Sequence, residues 1–149
     1  MILYLDSSAL VKLFVEEEGS EEVLAAVGSA IDCYTHLIAY AEIRAALARA
    51  QRMGRATRDQ LELQKRELNE IWQAFAIVIP DENLVRMAGD FAERFELRGY
   101  DSVHLAAAHA LASRVDPAVD FRVAAFDDKL VKAARALDLR VVAQPETQP

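Results

Sequence analysis

The chain has 149 residues, and its 17 basic and 24 acidic side chains give a net charge of −7 at pH 7. This length suits one domain with a single core, and 53% hydrophobic with 28% charged residues argues against a disordered chain. The start, MILYLDSSALVKLF, has no basic stretch and is interrupted by Asp6 and Lys12, which argues against a secretory signal or a membrane span. Because Cys33 is the single cysteine, no internal disulfide forms, and we expect a cytoplasmic protein.

Hydrophobic periodicity predicts strands alternating with helices along the whole chain. The predicted strands are 2–5, 33–35, 77–79, 121–126 and 139–142. The predicted helices are 7–15, a segment after Gly19 that Gly28 ends, 36–53, 57–75 with Thr57 as N-cap, 82–97, 101–113 after a break at Gly99, and 129–137. This alternation predicts a three-layer α/β/α sandwich with a mainly parallel sheet over residues 1–143, followed by a polar tail, 144–149.

The basic residues are concentrated in one segment of an acidic chain. Residues 44–66 hold seven basic and two acidic side chains, a local charge of +5 against −12 for the rest. Such a patch is compatible with phosphate binding despite the net negative charge. A solvated helix surface explains it equally. The candidates for RNA binding are Arg44, Arg49, Arg52 and Arg55.

Two acids follow predicted strands. Asp6 ends the first strand, and Asp127 follows the strand 121–126. In open α/β sheets ligands bind beyond the carboxyl ends of strands, so both acids lie where a site is expected. Either could instead be a helix N-cap, and Asp128 could exchange roles with Asp127.

Glu42 and Asp101 are acids on apolar helix faces. The helical neighbours of Glu42 are Ile38, Ala39, Ala45 and Ala46, so its carboxylate should be buried and in need of a partner. A salt bridge to Arg49 is the alternative. Asp101 opens a helix whose same face holds His104, Leu105 and Ala108, and a capping role is its alternative.

The histidines do not indicate a zinc site. His104 is better explained as a hydrogen-bonded core residue than as a ligand, and His36 and His109 lack zinc-site spacing. If the four acids converge, two carboxylates about 4 Å apart repel by roughly 4 kcal/mol at an effective dielectric of 20, so the site requires either proton uptake or a cation. Oxygen ligands favour Mg²⁺ or Mn²⁺, which supports phosphodiester hydrolysis.

Four segments together resemble a known family, the PIN domain, and within it the VapC-type toxins of toxin–antitoxin modules. The segments are YLDSSALVKLF, AYAEIRAALARA, RGYDSVHLAAAHA and VAAFDDKLVKAA. The resemblance, which extends from Met1 to about Val142, implies a Mg²⁺- or Mn²⁺-dependent endoribonuclease on a parallel α/β/α fold. It assigns catalysis and metal binding to Asp6, Glu42, Asp101 and Asp127, with Ser8 as a supporting hydroxyl.

The resemblance also implies partners. Such proteins cleave RNA, usually form homodimers and are blocked by a cognate VapB-type antitoxin. One departure concerns Ala125, since the family often has Thr or Ser two residues before the fourth acid. That departure leaves open a non-catalytic interaction module. A phosphohydrolase with Asp6 as nucleophile ranks last, because Ser8 stands where a second acid would be needed.

Overall fold

The computed structural model describes residues 1–144, so the predicted tail lies outside the described residues except for Gln144. The strands are β1 Ile2–Leu5, β2 Asp32–His36, β3 Ala76–Val78, β4 Phe121–Ala124 and β5 Arg140–Val141. The helices are α1 Ser7–Leu10, α2 Ser20–Ser29, α3 Ala39–Arg52, α4 Arg58–Ala74, α5 Glu82–Phe95, α6 Gly99–Ala112 and α7 Asp128–Ala136. A short 3₁₀ helix, Val11–Leu13, continues α1.

The five strands described form one parallel sheet in the order β3-β2-β1-β4-β5, which confirms the predicted α/β/α fold. The central strand β1 pairs with β2 on one side and β4 on the other. The chain proceeds from β1 through β2 to β3 in one direction, and β4 and β5 lie on the opposite side. The boundary between β1 and β4 is therefore the topological switch point, where α/β sheets open a crevice at the carboxyl ends of their strands.

The side chains of β1 contribute to two hydrophobic cores, one on each face of the sheet, because successive side chains of a strand point to opposite faces. Leu3 and Leu5 pack with α1 to α4 on one face, whereas Tyr4 packs with α5 to α7 on the other. All three side chains are fully buried. Because both faces are covered, the strand that leads into Asp6 is apolar throughout.

Several predicted element boundaries were wrong. Helix 7–15 stops being α-helical at Leu10, because the amides of Phe14 and Val15 both bond to the carbonyl of Val11 and tighten the turn. Gly28 lies inside α2, whose last turn closes when the amide of Ala30 bonds to the carbonyl of Val27.

Three further boundaries differ from the prediction, and two of them are set by polar contacts that periodicity does not report. Helix α3 begins at Ala39 rather than His36, because His36 extends β2 and its Nδ1 accepts the amide of Ile38. Gly99 starts α6 instead of breaking the chain before it. Strand β4 ends at Ala124, and the amide of Phe126 donates to Ser8 Oγ instead of to the sheet.

In the described part of the chain, no helix has both the length and the apolar character needed to cross a membrane.

Candidate functional site

The predicted acids lie at the carboxyl edge of the sheet, around the switch point. Asp6 directly follows β1, and Asp127 is the N-cap of α7 beyond β4. Glu42 lies in the first turn of α3, which follows β2. Asp101 lies in the first turn of α6. The topology therefore brings four acids from distant parts of the chain to the same edge.

Asp6 is a buried acid that is also a helix cap. Only 1% of its surface is exposed, and its Oδ1 accepts hydrogen bonds from the Ala9 amide at 2.9 Å and the Ser8 hydroxyl at 2.7 Å. Burial raises the pKa of Asp6, a charged Asp101 raises it further, and His104 and the two donors oppose the increase. Ser8 Oγ in turn accepts the Phe126 amide, so this hydroxyl ties Asp6 to the end of β4.

Glu42 is held by two side-chain hydrogen bonds. His104 Nε2 donates to Oε1 at 2.7 Å, and the Ser7 hydroxyl donates to Oε2 at 2.9 Å. Burial raises the pKa of Glu42, but the bonds from His104 and Ser7 outweigh it, so the pKa lies below its usual value. The alternative partner Arg49 is exposed and does not pair with Glu42, and Ala45 and Ala46 are exposed rather than buried. The buried face of α3 is formed by Ala39, which was among the predicted neighbours of Glu42, and by Ile43 and Leu47.

His104 is a core histidine, as the sequence predicted. It is 1% exposed, and its Nδ1 lies 2.8 Å from the hydroxyl of Tyr4. Burial raises the pKa of Tyr4 well above its usual value, with the charges of Asp6 and Glu42 contributing, so the phenol stays protonated. Tyr4, His104, Glu42 and Ser7 therefore form one continuous hydrogen-bonded chain from the sheet to the site.

Asp101 and Asp127 both lie close to the guanidinium of Arg98. Arg98, the residue directly before α6, donates from Nε to Asp101 Oδ2 at 2.8 Å and has a terminal nitrogen 3.8 Å from Asp127 Oδ2. Asp127 also accepts the amide of Leu130 as the cap of α7, so its capping and site-facing positions coexist. Its neighbour Asp128 is exposed.

A cavity of about 260 Å³ opens at these acids. It is lined by Glu42, Arg98, Gly99, Tyr100 and Asp101.

The donor set is all carboxylate oxygen, the chemistry that hard divalent cations prefer. Among residues 1–144, however, no three His, Cys, Asp or Glu side chains are arranged to hold one ion as they stand. The contact of Asp101 with Arg98 is one reason, since this carboxylate is turned to the guanidinium. The residues fit a divalent cation by chemistry, and ligation needs side-chain rotation at Asp101 or its neighbours.

The basic segment lies apart from the acids. Arg49 and Arg52 are exposed on the C-terminal half of α3, and Arg55 is exposed in the turn that follows. Arg52 is ten residues beyond Glu42, about 15 Å along the helix axis. Arg44 is half-buried, and its guanidinium donates to the Tyr40 hydroxyl at 3.1 Å. The three exposed arginines form a surface that leads away from the site.

Sequence reasoning missed Arg98, Ser7 and Tyr4. Arg98 stands three residues before Asp101, the i,i+3 spacing at which helical side chains meet, and this spacing could have identified it. Ser7 precedes Ser8 and could have been suspected as a second hydroxyl near Asp6. Tyr4 gave no signal, because a tyrosine in an apolar strand is normally a core residue.

The fold and the acids at its carboxyl edge define the class of protein. The family profile described as the PIN domain matches residues 3–136. The chain belongs to the PIN domain family.

Individual relatives match over almost the whole chain. The protein is similar to Ribonuclease VapC45 of Mycobacterium tuberculosis (strain CDC 1551 / Oshkosh), with 36% identity over 140 residues that cover 94% of each chain. Among solved structures it resembles VapC20 of Mycobacterium tuberculosis, described as a sarcin-ricin loop cleaving toxin, with a TM-score of 0.69, 14% identity and coverage of 96% and 99%. It also resembles a toxin–antitoxin complex from Klebsiella pneumoniae, with a TM-score of 0.59, 14% identity and coverage of 84% and 86%.

Proposed function

We propose that this protein is a metal-dependent endoribonuclease and the toxin of a VapBC-type toxin–antitoxin module. The observation that carries the proposal is Glu42, a carboxylate held by His104 and Ser7 at the sheet edge where Asp6 also ends the central strand. The relative at 36% identity is named a ribonuclease, which supports RNA as the substrate.

The cation is Mg²⁺ or Mn²⁺, with Asp6, Glu42, Asp101 and Asp127 as its ligands. These hard ions prefer oxygen donors and retain sites for water and phosphate oxygens. The ion supplies activation of water and stabilisation of the leaving oxygen in phosphodiester hydrolysis. The alternative chemistry, attack by the RNA 2′-hydroxyl, requires a general acid and base such as two histidines. His36 cannot serve well, because burial lowers its pKa to about 4.

The remaining residues of the site position these acids. Ser8 orients Asp6 through its 2.7 Å bond, and His104 and Ser7 orient Glu42. Asp101 and Asp127 lie at the mouth, with side chains 13% and 35% exposed, where a phosphate can reach them. Arg49, Arg52 and Arg55 extend the RNA-binding surface, with Arg44 at its inner end.

The proposed partners follow from the same assignment. A VapB-type antitoxin would cover the acidic site and the neighbouring helices, as the resemblance to toxin–antitoxin proteins suggests. We further propose a homodimer, a single catalytic domain over residues 1–143 and a cytoplasmic location, where RNA and antitoxin are available. Light scattering on the purified protein at micromolar concentration tests the dimer.

The decisive test compares the parent with Asp6→Asn on total cellular RNA in Mg²⁺ or Mn²⁺. We expect the parent to cleave and Asp6→Asn to lose at least about a hundredfold in rate, because a ligand of the metal becomes neutral. Asp90→Asn, an exposed acid of α5, is the matched control and should cleave as the parent does. Equal cleavage by Asp6→Asn would place the activity elsewhere or in a contaminant.

The second candidate is a non-catalytic interaction module on the same fold. The feature in its favour is Ala125, which is 1% exposed and offers no hydroxyl beside Asp127. It predicts that calorimetry detects no Mn²⁺ binding while binding to a protein partner persists.

A further inference from the structure

Arg98 occupies an unusual position for an exposed arginine. Its side chain is 80% exposed, yet Nε bonds to Asp101 at 2.8 Å and a terminal nitrogen approaches Asp127 at 3.8 Å. The hydrogen bond and charge of Asp101 raise the pKa of this guanidinium, with smaller contributions from Asp127 and Glu42. The guanidinium therefore contacts two of the four acids and lines a common cavity with a third, Glu42.

The ion pairs of Arg98 are readily broken. An exposed arginine–carboxylate pair contributes little net stability, because solvent screens the attraction and ordering the long side chain opposes it. Arg98 also borders the open cavity it shares with Glu42 and Asp101, so its side chain has space to move. A divalent ion that binds the carboxylates with two charges outcompetes a single delocalised charge.

A guanidinium released from these acids has an obvious alternative partner. Arginine presents planar, parallel N–H donors that match phosphate oxygens, and phosphate is the part of RNA that must enter this site. The backbone of Arg98 is fixed directly before the first turn of α6, three residues before Asp101. Its reach therefore stays within the site.

We propose that Arg98 exchanges partners: it neutralises Asp101 and Asp127 in the metal-free protein and binds the RNA phosphate once a divalent cation occupies those acids. This inference rests on the proposed ribonuclease function and adds a substrate-binding residue to it. It also accounts for Asp101 facing the guanidinium rather than the other acids. Arg98 thus has opposite effects on the two ligands, opposing the metal and assisting RNA.

The test measures both ligands in Arg98→Gln. Titration calorimetry of metal-free protein with Mn²⁺ should show about two- to fivefold tighter binding than in the parent, because a competing exposed pair is removed. Steady-state cleavage of a short single-stranded RNA at saturating Mn²⁺ should show KM raised about tenfold, as expected for a lost charged hydrogen bond. The slope of log(1/KM) against log salt should fall by about 0.7, one phosphate contact.

Two control variants separate this exchange from a change in net charge. Arg94→Gln removes the same charge from the exposed face of α5, where the arginine packs over Phe95, and should change neither measurement. Arg98→Lys keeps the charge and should retain the salt slope. Its KM should lie between those of the parent and Arg98→Gln, because lysine lacks the planar pair of N–H donors of the guanidinium.

The exchange predicts that Arg98→Gln binds Mn²⁺ more tightly but RNA more weakly than the parent. Suppose that the parent protein binds Mn²⁺ and cleaves RNA. Weaker Mn²⁺ binding by Arg98→Gln, or a KM unchanged from that of the parent, would then overturn the exchange but not the ribonuclease proposal. A parent that neither binds Mn²⁺ nor cleaves RNA would overturn the ribonuclease proposal, and the exchange with it.

Discussion

A carboxylate that loses part of its hydration needs hydrogen-bond donors in its place, and the half-buried Glu42 obtains two of them from side chains. His104 Nε2 must donate to Oε1, because an ionised carboxylate only accepts. On its other side the imidazole meets the Tyr4 hydroxyl, so its ring is fixed at both nitrogens. At the scale of residues, the orientation of Glu42 depends on a tyrosine that lies in β1 and does not reach the site.

The first prediction concerns this chain of hydrogen bonds. His104→Leu should weaken Mn²⁺ binding about ten- to a hundredfold, the usual effect of losing a donor to a ligand. His104→Gln keeps an N–H where Nε2 stands and should recover most of the affinity, although its contact with Tyr4 is lost. Calorimetry with Mn²⁺ measures both, and His109→Gln on the same helix is the control. Equal losses in the Leu and Gln variants would assign His104 a packing role only.

The second prediction concerns pH. Burial raises the pKa of Asp6, so the folded protein favours its protonated form. The favourable contribution of Asp6 to the free energy of unfolding is complete below the pKa of this side chain in the unfolded chain, about 3.9. It is lost as pH rises through the raised pKa of the folded protein. Asp6→Asn is neutral at every pH, so its melting temperature should exceed that of the metal-free parent at pH 7.

The size and pH course of this effect can be measured by thermal unfolding in chelator. A gain on the order of 1 kcal/mol corresponds to about 2–4 °C for a chain of this length. The gain should shrink towards pH 4, and Asp90→Asn should show no such trend. A gain that is the same at pH 4 and pH 7 would contradict a charge-dependent origin.

At the scale of elements, caps and local hydrogen bonds decide where helices begin. Thr57 was predicted as the N-cap of α4, and a full capping box confirms it: Thr57 Oγ1 accepts the Gln60 amide, and Gln60 Oε1 accepts the Thr57 amide. The start of α3 was wrong by three residues, because the bond from the Ile38 amide to His36 Nδ1 has no periodic signature.

The third prediction tests the cap. Thr57→Ala should lower the free energy of unfolding by about 1 kcal/mol, because the Gln60 amide loses its acceptor. Thr57→Ser keeps the hydroxyl and should unfold close to the parent. Denaturant titration followed by circular dichroism measures both. A Ser variant as unstable as the Ala variant would show that the methyl group, rather than the hydroxyl, matters here.

The difference between patterns along the chain and contacts between side chains also explains how much of the site could be predicted. Asp6 and Asp127 were located by strand ends, and the sheet order places those strands side by side. Glu42 was located by its apolar helical neighbours, of which Ala39 is buried and Ile38 half-buried as expected. Ala45 and Ala46 are exposed, because their small side chains carry too little apolar area to require burial. The bond of Arg98 to Asp101 follows a local i,i+3 spacing, whereas the bonds of Tyr4 to His104 and of Ser7 to Glu42 join distant parts of the chain and depend on tertiary packing. The roles of the four acids remain predictions.

At the scale of the whole molecule, charge is divided between an acidic body and one basic surface. Arg49, Arg52 and Arg55 are exposed on the hairpin of α3 and α4, while the chain as a whole carries −7. An acidic body limits non-specific attraction to nucleic acid, so a bound strand should follow the basic surface towards the site.

The fourth prediction tests that path. Replacing Arg49, Arg52 and Arg55 together by Gln in the Asp6→Asn background should weaken binding of single-stranded RNA about tenfold and reduce the salt slope by about 2, three contacts at roughly 0.7 each. Fluorescence anisotropy measures both quantities. The matched control replaces the exposed Arg94, Arg114 and Arg135 by Gln, which makes the same change in net charge. Equal weakening by the two triple variants would indicate attraction to total charge without a defined path.

The position of Asp6 at the end of β1 has a consequence for control. That strand is bonded to neighbours on both sides and buried on both faces, so releasing it requires unfolding the molecule rather than opening a segment. Fluctuations of loops or outer helices leave this carboxylate in place. For the proposed nuclease, motions within the chain would therefore not withdraw Asp6, and we expect control to come from outside, by shielding of the crevice or by destruction of the chain.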